Sequence, residues 1–551
     1  MSKRMITHLL LDKEAHEAQT IYLRQPREGT WHEFSWGKVM RQARQVAAFL
    51  KEQGLKKGDR ISIYSKNCAE WFITDFGITL AGMVNVPLFA NQHPDSIHYI
   101  VEHADIKLIF VGKLDKHLEA RANLPRDMKT ISFDYHDDIQ TDYHWQDILA
   151  QEPVDDVVMP DPKDYYTIIY TSGTSGKPKG ALYDHEHIAN YLEVFPRDIV
   201  RFTDLKHHHF VSYLPLAHVY ERTAVQLASI SISSDVSFVE SLEKFAENLR
   251  EIQPTIFTAV PRIWGVFQQK IEAKLPPGKM NLLLKIPLIS GLIKKKIRNQ
   301  LGLTRCNSCA SGASYLPVSI IEFFEKLDVL IQEGYGQTEN LAYATLSKRN
   351  ERKKGYVGKA RLEVELKIGE HEELLLKSNC LMQGYYNNKE ATGEAFEGDW
   401  LRTGDMAEID SEGNVKILGR LSETFKNQKG EFITPSPIEK DFSSNGLIEQ
   451  LCLVGRGLPN NVMVVSLTED AARKSKEAIQ DSLQKTLKRV NSSLTNYEKI
   501  SHVVITRLSW TPENSILTPT LKVKRREIED RFMDEIQKAT EQHNSIYWIE
   551  N

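Results

Sequence analysis

The sequence predicts an α/β protein: a large N-terminal domain of layered α/β subdomains with a small β unit, followed by a small α+β domain. Three observations predict it. Amphipathic helical segments alternate with short, nearly continuous apolar runs rich in β-branched residues, the texture of buried, largely parallel strands. Past Ala360 that alternation gives way to short strands punctuated by Gly and Asp turns. The 551 residues exceed what one hydrophobic core organises, and the texture changes again beyond Arg420. The expected domains are residues 1–419 and 420–551.

The elements follow in order. Ser35 caps a segment in which Val39, Ala43, Val46, Ala47 and Leu50 recur at helical spacing, and Gly54 stops it. "GDRISIYS" then reads as a strand, and "AEWFITDFGITLAGMVNVPL" as a helix leading into a second strand. The pattern repeats where "IHYIVEHA" precedes "IKLIFVG" and "SLEKFAENLREIQ" precedes "TIFTAVP". "LEVELKIG", "EELLLKS" and "MAEIDSEGNVKILGR" form the small, mostly antiparallel unit. The last part holds the strands "IEQLCLVG" and "NVMVVSLT", a long polar helix from about Glu469, and a charged tail around "KVKRREIEDRF".

Composition narrows the function classes. Hydrophobic residues make up 41% and charged residues 26%, as in a soluble globular protein. A net formal charge of −4 gives no basic field for nucleic acid. Five scattered cysteines fit a reducing compartment, and "CNSC" at Cys306–Cys309, without a second pair, reads as packing. "KHHHF" at Lys206–Phe210 reads as a loop entering the strand "FVSYLPL", because adjacent histidines do not converge easily on one metal. The N-terminus has no signal-type apolar core, and no window reaches the ~20 apolar residues of a membrane span. The expectation is a cytoplasmic protein with at most peripheral contact at the inner face of a membrane. A homodimer is left open.

The stretch "YTSGTSGKPKG", Tyr170–Gly180, follows the apolar run "YYTIIY". A loop at a strand's end can project free N–H groups. Gly173, Gly176 and Gly180 permit close backbone approach, the hydroxyls of Thr171, Ser172, Thr174 and Ser175 donate, and Lys177 and Lys179 add charge. The pattern suits an oligophosphate, although a flexible linker has the same composition. It is not a Walker A loop, since Pro178 follows Gly176-Lys177.

That loop resembles the phosphate-loop signature of the adenylate-forming superfamily: acyl-CoA synthetases, adenylation domains and luciferases. The resemblance continues in order through "YLPLAHVYER" (213–222), "PTIFTAVPRIW" (254–264), "SGA" (311–313) and "EGYGQTEN" (333–340). It extends to "WLRTGD" (400–405), "GRLSETFKNQKGEFITP" (419–435) and "LTPTLKVKRR" (517–526). "LPLAHVYER", "AVPRIW", "KGEFITPSPIE" and "LTPTLKVKR" look like the versions in long-chain fatty acid–CoA ligases.

The resemblance implies two half-reactions with ATP, coenzyme A, Mg²⁺ and a medium- or long-chain fatty acid: formation of an acyl adenylate, then transfer to the CoA thiol. It implies that Thr171, Ser172, Gly173, Thr174, Ser175, Gly176 and Lys177 hold the β- and γ-phosphates. Ser311, Gly312 and Ala313 would line the base, with Tyr335 and Gly336 beside them and the Tyr335 ring stacked on adenine. Thr338 would lie near the phosphates and Glu339 on Mg²⁺. Asp405 would accept both ribose hydroxyls, Arg420 would lie near the ribose and hinge, and Lys522 would bridge carboxylate and α-phosphate. His218 would lie near the acyl site. The C-terminal domain would be mobile, carrying Lys522 out and the Lys429-Gly430-Glu431 loop in, with Gly430 letting the pantetheine arm pass. Two positions depart from the family pattern: Ser422 stands where the hinge usually has Lys or Asp, and "LVGRGLP" (453–459) lacks the acidic residue common after the glycine.

Read alone, each residue has a simpler role. Tyr335 serves as a core aromatic, Asp405 as a turn residue, Glu339 as a helix cap, Lys522 as part of a solvated charge run and His218 as a packed histidine. Two rival functions also stand: an acyl- or aryl-acid adenylating enzyme that loads a carrier protein, and a non-catalytic nucleotide-binding interaction protein. "KMNLLLKIPLISGLIKKKIRNQLGL" (279–303) reads either as a basic amphipathic stretch on an anionic bilayer or as a helical hairpin packed on the N-terminal domain.

Overall fold

A computed structural model describes residues 3–136, 138–171, 177–428 and 430–549. Two large sheets dominate it. In the nine-stranded sheet, Ile331–Tyr335, Ser308–Ser311, Ile256–Ala259, His208–Ser212, Ser234–Phe238 and Ile21–Arg27 run parallel, with antiparallel additions at both edges. The eight-stranded sheet holds Arg60–Tyr64, Val84–Asn85, Ile106–Val111, Lys129–Ser132 and Tyr165–Tyr170 in parallel, and Gly180–Asp184 returns antiparallel on Tyr165–Tyr170. The expected buried, largely parallel α/β layers are therefore present.

The largest core lies between these sheets and explains the helix sequences there. Helix Trp36–Glu52 starts where Ser35 Oγ accepts from Lys38 N at 3.3 Å, and its buried face includes Val39, Ala43, Val46, Ala47 and Leu50. Gly54 follows at φ +75°, the left-handed conformation that ends helices at low cost. Helix Ala69–Leu80 is buried on every side, the reason its sequence is apolar all round rather than striped. Its Asp75 carboxylate is sealed in: it receives Arg222 Nη2 at 2.8 Å, Asn85 Nδ2 at 2.6 Å, Gln226 Nε2 at 2.9 Å and Tyr166 Oη at 3.2 Å. The Arg222 guanidinium lies between the Trp71 and Tyr166 rings at 5.1 and 5.3 Å.

The small antiparallel unit comprises Val364–Ile368, Glu373–Ser378, Trp400–Ile409 and Val415–Arg420. Beyond it a four-stranded sheet, Ile448–Val454, Asn461–Leu467, Ile500–Thr506 and Ile546–Trp548, is packed on both faces by helices. Two local readings change here. The polar helix is two pieces, Glu469–Ala472 and Lys476–Asn491, because Ser475 Oγ accepts from Ala478 N and starts a new helix. The charged stretch is a helix, Arg525–Thr540, whose Ile528, Phe532 and Ile536 are buried at helical spacing. Among the described residues no helix is long and apolar enough to cross a membrane.

Candidate functional site

A cavity of about 500 Å³ opens at the carboxyl ends of the parallel strands, where α/β sheets present their loops. Thr171 follows the strand Tyr165–Tyr170, and its N–H donates to Lys179 O at 2.8 Å, closing the base of the loop. Lys177 sits over the Tyr99 ring at 5.1 Å. Thr171 and Lys177 line the cavity; Ser172, Gly173, Thr174, Ser175 and Gly176 lie outside the described residues.

The opposite wall comes from Ser311, Gly312, Ala313, Tyr335, Gly336, Thr338 and Glu339. Ser311 is 3% exposed and its Oγ has no hydrogen-bond partner among the described residues, an unsatisfied donor at the cavity's edge. Gly336 is required by contact: a Cβ there would meet the Ala342 backbone at 2.5 Å. The Thr338–Asn340 turn is held by Tyr183 Oη, which donates to Thr338 O at 2.6 Å. Glu339 Oε1 accepts from Tyr385 Oη at 2.7 Å. No hydrogen bond from a described residue occupies its other oxygen, so the acid retains a ligand position for a hard cation.

Asp405 stands behind this wall rather than in it. It is 4% exposed, and its Oδ2 accepts from Tyr335 Oη and Gln337 Nε2, each at 2.6 Å. Arg420 Nε reaches Oδ1 at 3.0 Å because the two residues face one another across paired antiparallel strands. The Asp405 carboxylate raises the Arg420 pKa, and burial followed by the same carboxylate pushes the Tyr335 phenol well up. Arg420 itself lines the cavity.

Lys522 enters from the C-terminal part. Its turn is tight: Leu521 N donates to Thr518 O at 2.8 Å, Thr518 N to Lys522 O at 2.8 Å and Lys522 N to Thr518 Oγ1 at 3.1 Å, with Leu521 at φ +62°. Asn91 Nδ2 ties the turn to the N-terminal part through Pro519 O at 3.2 Å. The lysine side chain meets solvent through the cavity while protein encloses it; this enclosure, and then the nearby Arg420 charge, lower its pKa. Gly430, at φ +82°, does not line the cavity. Ser422, the departure at the expected hinge, does line it.

His218 combines its two readings. It lines the cavity and also caps the helix Val219–Glu221, with Nδ1 accepting from Tyr220 N at 3.1 Å. Burial, then the Lys522 charge, bring its pKa down to about 3, so the imidazole is neutral near pH 7. The same cavity is lined by the largely apolar side chains of Tyr191, Phe195, Ile199, Phe210, Val219 and Ile256. Arg361 also lines it, its charge matched by Asp198 at 2.7 Å.

Three residues of the site escaped the sequence reading. Gln337 lies inside a quoted motif, and its amide-type side chain next to Tyr335 is a usable signal. Tyr385 and Arg361 carry no local signal, because an edge strand and a loop bring them from afar. Outside the cavity, His207 Nε2 and His209 Nδ1 converge on Asp235 Oδ1 at 2.9 and 2.6 Å. The strand begins at His208, two residues earlier than the sequence reading placed it, and the histidines at 207 and 209 share one carboxylate.

Polar and apolar residues lining one cavity, met by a lysine from the C-terminal part, suit a carboxylic acid held against a nucleotide. Acyl-adenylate formation is the class of chemistry that fold and cavity define. The AMP-binding enzyme family matches residues 12–386 and its C-terminal domain residues 424–544; the chain belongs to this family. Long-chain-fatty-acid–CoA ligase FadD15 of Mycobacterium bovis is 25% identical over 97% of this chain and 96% of its own. Long-chain-fatty-acid–CoA ligase 5 of Rattus norvegicus is 28% identical over 92% and 84%. Among solved structures, the adenylation domain of a carboxylate reductase from Mycobacterium chelonae superposes with a TM-score of 0.81 at 22% identity, covering 98% of this chain and 91% of that one. Anthranilate CoA ligase AuaEII in complex with anthranoyl-AMP gives 0.77 at 20%, covering 97% and 98%. Both likenesses concern the fold.

Proposed function

We propose that the protein is an ATP- and Mg²⁺-dependent ligase that activates a medium- or long-chain fatty acid as acyl-AMP and transfers the acyl group to coenzyme A. The observation that carries this reading is that one cavity is lined by polar residues of the matched motifs, by apolar side chains such as Phe195, Ile199 and Phe210, and by His218 and Lys522. In the first half-reaction a carboxylate oxygen bonds to the α-phosphorus of ATP and the bond to the β-phosphate oxygen breaks, releasing pyrophosphate. In the second, the CoA sulfur bonds to the acyl carbon, its proton leaves to solvent, and AMP departs.

Each residue has a task in that scheme. Thr171 and Lys177, with the loop 172–176, hold the β- and γ-phosphates. Ser311 Oγ, Gly312 and Ala313 take the adenine edge, and Tyr335, fixed by its bond to Asp405, presents its ring to the base. Gly336 keeps that strand end close to the backbone behind it. Asp405 binds the ribose once its hydroxyls replace the Arg420 donor at Oδ1, and Arg420 lies beside the ribose. Thr338 lies by the phosphates, and Glu339, oriented by Tyr385, holds Mg²⁺, which supplies positive charge to the phosphates when bound. Lys522 places an ammonium against the charge that develops between carboxylate and α-phosphate. Neutral His218 borders the acyl carboxyl without competing as an anion trap.

We also place the domain boundary at 419/420. The Gly430 loop would replace Lys522 at the cavity for the second half-reaction, by rotation about Arg420–Glu423. The test is to incubate the protein with Mg-ATP, CoA and acids from acetate to stearate and benzoate, and to identify products by mass spectrometry. Thioesters of the longer fatty acids are expected. Adenylates without thioesters would assign a carrier-protein acceptor, and no product from any acid would leave a nucleotide-binding protein without turnover.

A further inference from the structure

The helices Pro277–Leu284 and Pro287–Gln300 display an apolar surface that no described residue covers. No residue of Pro287–Gln300 is buried. Leu288 is 86% exposed, Leu292 70% and Leu282 64%, and Ile286 and Ile289 are exposed beside them. Scattered single hydrophobics are ordinary on a surface, but five within eleven consecutive residues form a patch.

The patch is rigidly presented. Met280 is 2% exposed, and Leu284 and Ile297 pack against the core formed by Phe257, Trp264 and Phe324. Lys294 pairs with Asp328 at 2.9 Å. The inner face of the hairpin is thus anchored, and the outer face is apolar by sequence.

Charge identifies the occupant. Residues 276–303 contain Lys279, Lys285, Lys294, Lys295, Lys296 and Arg298 and no Asp or Glu, in a chain of net formal charge −4. Lys279, Lys285, Lys295 and Lys296 are exposed and form no ion pair among the described residues. Along the second helix Leu288 and Leu292 are followed by Lys295 and Lys296 on the same side, so an apolar tip passes into a cationic shaft. A second copy of the chain would set these unpaired lysines against their own kind. An anionic lipid surface satisfies both halves, since acyl chains accept the leucines and phosphates accept the lysines.

We propose that this hairpin docks the protein on an anionic phospholipid bilayer. Leu288 and Leu292 enter the acyl boundary, while Lys285, Lys295 and Lys296 lie at the phosphates. The docking does not depend on the acyl-CoA ligase reading, because the measurement is binding and not turnover.

The test floats the full chain with vesicles of phosphatidylcholine alone, and of phosphatidylcholine with about one-third phosphatidylglycerol. The expected result is flotation with the anionic vesicles, reduced by salt. Leu288→Asp/Leu292→Asp should weaken binding about tenfold or more, and Lys295→Glu/Lys296→Glu should erase the preference for anionic lipid. Both variants should keep the parent melting temperature, because the altered side chains are exposed. Variants that bind like the parent, or a parent that ignores both vesicles, overturn the proposal. So does a parent dimer in sedimentation that Leu288→Asp/Leu292→Asp dissociates, which would assign the face to a second copy.

Discussion

Two of the arginine–aspartate pairs in this fold, Arg222–Asp75 and Arg420–Asp405, do opposite things. Arg222 and Asp75 are sealed, at 1% and 0% side-chain exposure, and every neighbour of the carboxylate is a fixed donor from the core. Arg420 and Asp405 are as close, yet the Arg420 side chain is 45% exposed and borders the cavity. The chemistry is the same, and the difference is access. A sealed pair can only hold elements together, whereas a pair open on one side can exchange a donor with a ligand. Burial of a charge therefore marks a functional residue only when one of its neighbours is replaceable.

Breaking the sealed pair has the largest expected effect. Asp75→Ala leaves Arg222 charged without its acceptor and should cost about 3–5 kcal/mol of stability, read by denaturant unfolding. An unchanged midpoint would remove the distinction between the two pairs. Next in size is the open side. Lys522→Ala should lower adenylate formation ~10²–10³-fold with the unfolding midpoint unchanged, while thioester formation from supplied acyl-AMP persists. Equal loss in both half-reactions would count against the rotation of the C-terminal part. Because the Lys522 pKa is lowered, its charge is lost as pH rises through a value below that of an ordinary lysine. Adenylation should accordingly fall earlier on the alkaline limb.

Smaller effects refine the contrast. Tyr385→Phe removes the hydroxyl that orients Glu339 and should raise the Mg²⁺ concentration for half-maximal adenylation about tenfold, consistent with one bond to a charged group. Titration of the metal against rate reads it, and an unchanged requirement would separate Glu339 from the cation. Glu221 gives the smallest effect. It is fully buried beside Arg222 in the chain, and burial raises its pKa from 4.5 to about 8. The folded state keeps a proton that the unfolded state releases, so this contribution to stability is full below about pH 4.5 and is lost as pH rises through about 8. Glu221→Gln should flatten that decline in melting temperature, and a slope identical to the parent's would place the titration elsewhere.

The contrast also marks what sequence can carry. Helix Trp36–Glu52 was readable because its cap, stripe and stop are all local. Most of the cavity wall was readable through ordered motifs, each of which supplies a short segment that needs no partner to be recognised. The order of the strands was not readable: the strand at Ile21–Arg27 pairs with one more than two hundred residues away. Tyr385, Arg361 and the His207–Asp235 contact are products of such pairings. The exposure of Leu288 and Leu292 was equally hidden, since an apolar helix face looks the same in a sequence whether a core covers it or nothing does.

The return strand Gly180–Asp184 has a consequence beyond its own sheet. It pairs on one side with Tyr165–Tyr170 and on the other with Gly384–Tyr385, where Tyr385 lies opposite Ala181. Both ends of the loop between Tyr170 and Gly180 and the hydroxyl that holds Glu339 are thereby set along a single backbone gauge. Side chains alternate in direction along a strand, so inserting or deleting one residue between 180 and 184 would turn Tyr385 away from the acid without touching either residue. At this edge the number of residues is constrained more tightly than their kind, and a frame of constant length links the loop that starts at Thr171 to the hydroxyl that orients Glu339.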